Sequence, residues 1–275
     1  MRTGSGDIFL PGTAMAGASC TDRTSLNVDG ARVFLVPATR APVGTVVLLH
    51  GAASGTDAGV LAVLAGRLPG RGVGVARLEM PYRVAGRRAP DRPARLDAVL
   101  HAVMDALGRP RPVVLVGRSM GSRVACRCAR TTGAAAVVAF GFPLCPPGKP
   151  AAPAKKDHSR GFGQDSPGRP KAPAKKDLGE DAGHDGGREP LGSRPSRLPE
   201  LLAAGVPVLV LQGDRDTFGM PDPNPARHIE VHVLAGADHA MRTRRKDGRD
   251  EAEVVDEAAT VATEWIIARL ASTGP

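Results

Sequence analysis

Short apolar runs, each bounded by glycine, proline or charge, alternate along this chain with stretches whose apolar residues return every three or four positions. Residues 25–28 and 33–37 flank Asp29-Gly30, a two-residue hairpin signal, and predict two antiparallel opening strands. Residues 44–49 then form a buried strand that runs into His50-Gly51 and a small-residue loop. A helix is expected over 57–68, with Leu61, Leu64, Ala65 and Leu68 on one face, and a strand over 73–80, ended by Pro81. Residues 82–95 read as a basic loop, followed by a helix whose Leu96, Val99, Leu100, Val103, Met104 and Leu107 make one apolar stripe. Further strands are expected over 113–116, 134–140, 206–212 and 229–234, with helices over 122–129, 198–204 and 252–270. In the last of these Val254, Ala258, Val261, Trp265 and Ile266 should face inward. Alternation of this kind predicts an α/β protein with a mostly parallel central sheet and helices on both faces.

Two segments break the pattern. Residues 1–23 carry no periodicity and read as a flexible tail. Residues 147–197 hold Pro, Gly, Lys, Asp and Ser with almost no large apolar side chains, and APAKKD occurs twice, at 152–157 and 172–177. Such a stretch buries too little apolar surface to offset its chain entropy, so it reads as a disordered insertion. A single domain formed by 24–146 and 198–275 remains.

The chemistry centres on VVLVGRSMGSRV at 113–124, where Gly117-Arg118-Ser119-Met120-Gly121 follows a strand and opens a helix. That is the context a nucleophile elbow requires. Asp216 and His239 come later, each just past an expected strand, in the chain order serine, acid, histidine. All three then fall at the carboxyl edge of the sheet, where open α/β folds bind ligands. His239 is the candidate general base and Asp216 the acid that orients it. Asp216 is preferred to Asp214 because it lies farther past the strand end. The oxyanion hole is assigned to the backbone N–H groups of Met120 and Ala52. His50 is expected to be structural.

Composition narrows the picture further. With 275 residues, 42% hydrophobic and 3% aromatic, the core must be built from Val, Leu and Ala. No apolar stretch is long enough to span a membrane. Residues 8–20 faintly resemble a secretion signal, but Asp7 and Pro11 interrupt them, so a cytoplasmic protein is expected. Cys20, Cys126, Cys128 and Cys145 match no zinc spacing, and no metal or cofactor is called for. The net charge of +9 raises an anionic partner such as nucleic acid. No helix-turn-helix, finger or aromatic stacking surface supports one, and the low-complexity stretch supplies a third of that charge.

The segments LLHGAASG, LEMPYRVAGRRAPDRPARL, VGRSMGSRVA, FGFPL and LQGDRDTFG through GADHAM together resemble the α/β-hydrolase-like group of testis-expressed and chromatin-complex-associated proteins. That group is related more distantly to dienelactone hydrolases. The resemblance implies the same Ser119, Asp216 and His239, and Arg118 beside the nucleophile matches the group's pattern. Dienelactone hydrolases use cysteine where this chain has Ser119, so their substrate is not carried over, and the long insertion departs from the pattern. Arg87 and Arg88, in the loop after the fourth strand, are candidate contacts to an anionic substrate, and Arg118 is grouped with them. The expected function is hydrolysis of a small acyl ester or thioester through an acyl-enzyme. The alternative is a hydrolase-fold interaction protein with little activity. Oligomeric state and natural substrate are not readable from these residues.

Overall fold

The computed structural model describes residues 24–146 and 195–272. The expected tail 1–23, residues 147–194 of the expected insertion, and Cys20 lie outside the described residues.

Eight strands form one sheet in the order β1-β2-β4-β3-β5-β6-β7-β8. They are β1 (Ser25–Val28), β2 (Ala31–Val36), β3 (Gly44–Leu49), β4 (Val73–Glu79), β5 (Val113–Arg118), β6 (Ala136–Phe140), β7 (Val208–Gly213) and β8 (Ile229–Leu234). β1 pairs antiparallel with β2, and β2 antiparallel with β4. Every other pairing is parallel, as the alternating pattern predicts. Asp29 and Gly30 make the hairpin turn with φ of 51° and 78°, the positive pair that a tight two-residue connection needs.

The helices are α1 (Gly59–Arg67), α2 (Pro81–Val84), α3 (Pro93–Ala106), α4 (Met120–Thr132), α5 (Leu198–Leu202) and α6 (Glu251–Ala271). Successive strand residues point to opposite faces, so Val46, Leu48, Val114 and Val116 pack under α1 and α6. Val47, Leu49 and Leu115 pack under α3, α4 and α5. Both faces are therefore covered, which is why β5, β6 and β7 read as unbroken apolar runs.

Some boundaries move for physical reasons. Ala58 is still extended, with φ −135° and ψ 159°, so α1 begins at Gly59 rather than 57. The expected loop after β4 starts with the short helix α2, for which Pro81 supplies a preset φ at the first turn. In α6, Val254, Ala258 and Ile266 face inward as expected, but Val261 and Trp265 are only partly buried. Ala259, Ala262 and Leu270 are the further apolar residues buried there. Residues 254, 258, 262, 266 and 270 follow the i+4 row, and their small alanines let α6 lie close against α1. Trp265 sits at the flank, its Nε1 donating to Glu230 at 3.1 Å.

Candidate active site

β5 ends at Arg118, and the chain turns sharply into α4. Ser119 lies at that turn with φ 50° and ψ −111°, a strained conformation for a residue with a side chain. Hydrogen bonds overdetermine it: its N–H donates to Phe140 O at 2.8 Å, and Ser122 Oγ donates to its carbonyl at 2.6 Å. The flanking glycines are required by close approach. A Cβ on Gly117 would stand 2.3 Å from the Gly121 carbonyl, and one on Gly121 would stand 2.3 Å from Leu49 O. Strand, helix and the neighbouring β3 can meet there only without side chains.

Asp216 follows β7 and His239 follows β8, and the parallel register brings both loops to the same edge as Ser119. His239 Nε2 lies 2.9 Å from Ser119 Oγ, and His239 Nδ1 lies 2.8 Å from Asp216 Oδ2. A carboxylate only accepts, so Nδ1 carries the ring proton and Nε2 is left to accept from the serine hydroxyl. Asp216 has a fully buried side chain. It accepts from Phe218 N–H at 2.9 Å, from Gln212 Nε2 at 2.7 Å and from the imidazole. Asp214 instead accepts from Gly236 N–H across in the loop after β8, and Asp238 accepts from Ala240 and Arg242 N–H within its own turn. The imidazole is held between Phe218, whose ring centroid is 4.2 Å away, and Gly141, where a Cβ would lie 3.4 Å from Nδ1.

Gln212 and Phe218 carry much of this geometry and escaped the reading of the sequence. The signal for Gln212 was a glutamine closing an otherwise apolar strand, since a buried amide must find partners. Its Nε2 faces three acceptors, Asp216 Oδ2, Gly219 O and Phe142 O, at 2.7, 2.9 and 3.3 Å. Phe218 had no comparable signal.

The loop after β3 is pinned from beneath. Tyr82 is fully buried, and its hydroxyl donates to Ala52 O at 3.0 Å. Burial pushes the Tyr82 pKa up to about 12, so this donor persists at neutral pH. His50 is structural, as expected: Nδ1 donates to Gly51 O at 2.7 Å, and Nε2 accepts from Met80 N–H at 3.1 Å. Burial lowers its pKa, in keeping with the neutral ring that those two bonds require. Among the described residues no acceptor faces the N–H of Met120 or of Ala52. Arg118 lines neither of the clefts beside Ala52. Its guanidinium donates to Ser54 Oγ at 3.3 Å and to His239 O at 3.4 Å, tying the loop after β3 to the histidine loop.

Two clefts meet at Ala52. One, of about 250 Å³, is walled by Pro90, Pro93, Leu96 and Met120, with Arg123 and Arg127 at its side. The other, of about 530 Å³, is lined by Ala52, Ala53, Arg83, Gly86, Arg87 and Arg88. Arg87 and Arg88 are thus together beside the loop, while Arg118 is not with them. Arg87 is already paired with Asp91 at 2.7 Å. Cys126 and Cys128 are buried, and burial pushes both thiols up to about 12, which leaves them unreactive. Among the described residues no group of three or more His, Cys, Asp or Glu is arranged to hold a metal ion. No helix among them is long and apolar enough to cross a membrane.

Known proteins fit this architecture. Est1E from Butyrivibrio proteoclasticus matches with a TM-score of 0.56 at 12% identity, over 90% of this chain and 99% of that one. A dienelactone hydrolase from Anabaena variabilis matches at 0.51 and 15% identity, over 90% of this chain and 96% of that one. A lidless serine hydrolase from Xanthomonas campestris matches at 0.50 and 16%, over 90% and 97%. At such identities the likeness is one of fold. No curated protein matches. The family model for the alpha/beta hydrolase domain matches residues 42–161 and 189–267. A match over well more than half of its residues, on a sheet of the expected topology, means that the chain belongs to the alpha/beta hydrolase domain family.

Proposed function

We propose that the protein is a serine hydrolase that cleaves a small ester or thioester through an acyl-enzyme. The observation that carries this reading is the unbroken relay from Ser119 Oγ to His239 Nε2 and from His239 Nδ1 to Asp216 Oδ2, at 2.9 and 2.8 Å. Ser119 Oγ attacks the substrate carbonyl and gives its proton to His239 Nε2. Asp216 stabilises the imidazolium that forms. The carbonyl oxygen becomes an oxyanion, and the Met120 and Ala52 N–H groups donate to it from the start of α4 and the loop after β3. The imidazolium then returns the proton to the leaving oxygen or sulfur, and the acyl group stays on Ser119. Water, deprotonated by His239, attacks the acyl-enzyme by the same route, releasing the acid and restoring the hydroxyl. Within the family, we group the chain with the testis-expressed and chromatin-complex-associated hydrolase-like proteins, on the motifs quoted above.

Labelling by a fluorophosphonate probe tests the reading. Native protein should label, and both Ser119→Ala and heat-denatured protein should not. Folded protein that resists the probe, and turns over no short p-nitrophenyl ester or thioester, would support the interaction reading instead.

A further inference from the structure

The basic cleft beside Ala52 carries an inference about substrate class, which rests on the serine hydrolase reading. Arg83 is half-buried, and among the described residues it has no ion pair and no side-chain hydrogen bond. Arg88 is exposed and likewise unpaired among the described residues. Arg87, between Gly86 and Arg88, has its charge answered by Asp91. The cleft therefore presents two free guanidinium groups rather than three. One of them has given up part of its hydration with no carboxylate at ion-pairing distance among the described residues, a cost that an incoming anion would offset.

The backbone that carries the two arginines is fixed relative to the candidate reaction centre. Arg83 follows Tyr82, whose hydroxyl holds Ala52 O, so the same short helix supports the loop after β3 and carries the cation. Gly86, at φ 69°, turns the chain back, and the Arg87 N–H donates to Tyr82 O at 2.7 Å. That bond closes the turn that presents Arg88. The cleft's volume of about 530 Å³ suits a small ligand. We propose that this cleft binds a carboxylate or phosphate on the non-reacting part of the substrate, with Arg83 and Arg88 as its ligands. The preferred substrate is then a small ester that is itself an anion. Guanidinium forks match the planar or tetrahedral oxygens of such groups.

The test compares p-nitrophenyl hydrogen glutarate with p-nitrophenyl hexanoate, each corrected for uncatalysed hydrolysis. Wild-type protein should favour the anionic ester by about tenfold or more in kcat/KM, the worth of one charge-assisted hydrogen bond. That preference should collapse in Arg83→Gln/Arg88→Gln and persist in Arg71→Gln, a cation paired with Glu264 elsewhere on the surface. Calorimetry on Ser119→Ala, with glutarate and inorganic phosphate as separate probes, reads the cleft without turnover. Binding should weaken about tenfold when the two arginine changes are added, with the melting temperature as the check on folding, and the tighter probe identifies the anion. Equal preference for the two esters in wild type, or equal anion binding with and without the arginines, overturns the proposal. Arginine-dependent anion binding by a folded protein that resists the fluorophosphonate probe and hydrolyses neither ester would leave the cleft standing and sink the hydrolase reading.

Discussion

Ser119 is held at φ 50° by hydrogen bonds to its backbone N–H and carbonyl, so the strain can be measured. Ser119→Gly should raise stability by about 1 kcal/mol, a melting shift of roughly 2–4 °C for a domain of this size. Ser119→Ala keeps the Cβ and should not. Thermal melts of the two variants side by side decide it, and a glycine variant no more stable than wild type would show that the turn is relaxed. Gln212 is a positioning residue by the same logic, since it touches Asp216 and not the reacting atoms. Gln212→Leu removes one of three donors to a buried carboxylate and should lower kcat about tenfold with little change in KM. A change in KM alone would mean that Gln212 shapes the binding cleft and leaves the relay untouched. Ser119 and His239 were legible as residues because motif and chain order single them out. Phe218 and Gln212 were not, because neither has a role until β7 and β8 lie side by side.

At the scale of elements, α3, α4 and α5 are joined by charge as well as by apolar contact. Arg123 and Arg127 of α4 both reach Glu200 of α5, at 2.5 and 2.8 Å, and Arg127 also reaches Asp97 of α3 at 2.7 Å. Burial pushes the Glu200 carboxyl up, but Arg123 and then Arg127 outweigh it and hold the group below its ordinary value. A depressed carboxylate contributes stability above its unfolded pKa of about 4.3, and that contribution is lost as the pH falls through the lower folded value. Glu200→Gln should therefore be less stable than wild type at pH 7, by about 1–3 kcal/mol. The gap should close below roughly pH 4. Denaturant titrations at several pH values read this directly, and a gap that persists in acid would assign the loss to packing. Helix periods announced α3 and α6, but α2 is four residues long and too short to show a period.

For the whole molecule, the question is how the domain tolerates a long low-complexity stretch between β6 and α5. Arg197 joins the two ends of that stretch. Its N–H donates to Leu144 O at 2.7 Å, and its guanidinium donates to Pro143 O at 3.2 Å and to Cys145 O at 3.3 Å. The described residues on the two sides, 143–145 and Arg197, thus lie side by side, close to the loop that carries Phe218, since Cys145 N–H donates to Phe218 O. Replacing residues 147–194 by a short Gly/Ser linker should leave the melting temperature and the fluorophosphonate labelling nearly unchanged, because loop length alone costs little. Loss of folding in that variant would make the segment part of the domain rather than an insertion.

The linear order of residues determined a great deal by itself. Alternating buried strands and striped helices specify a parallel sheet, because only covered faces on both sides accommodate runs such as those at β5, β6 and β7. Gly-x-Ser-x-Gly after a strand specifies the turn, because only glycine fits where strand and helix nearly touch. Tertiary structure decided what depends on distance rather than order. Asp214 and Asp216 are two aspartates on one loop past the end of β7; their order along the chain favours Asp216, but it is the fold that gives Asp216 to His239 and Asp214 to Gly236. It assigned Arg87 to Asp91 and left Arg83 and Arg88 facing the cleft. Charge is written in a sequence, but whether a charge is answered depends on which groups folding brings within a few ångströms of it.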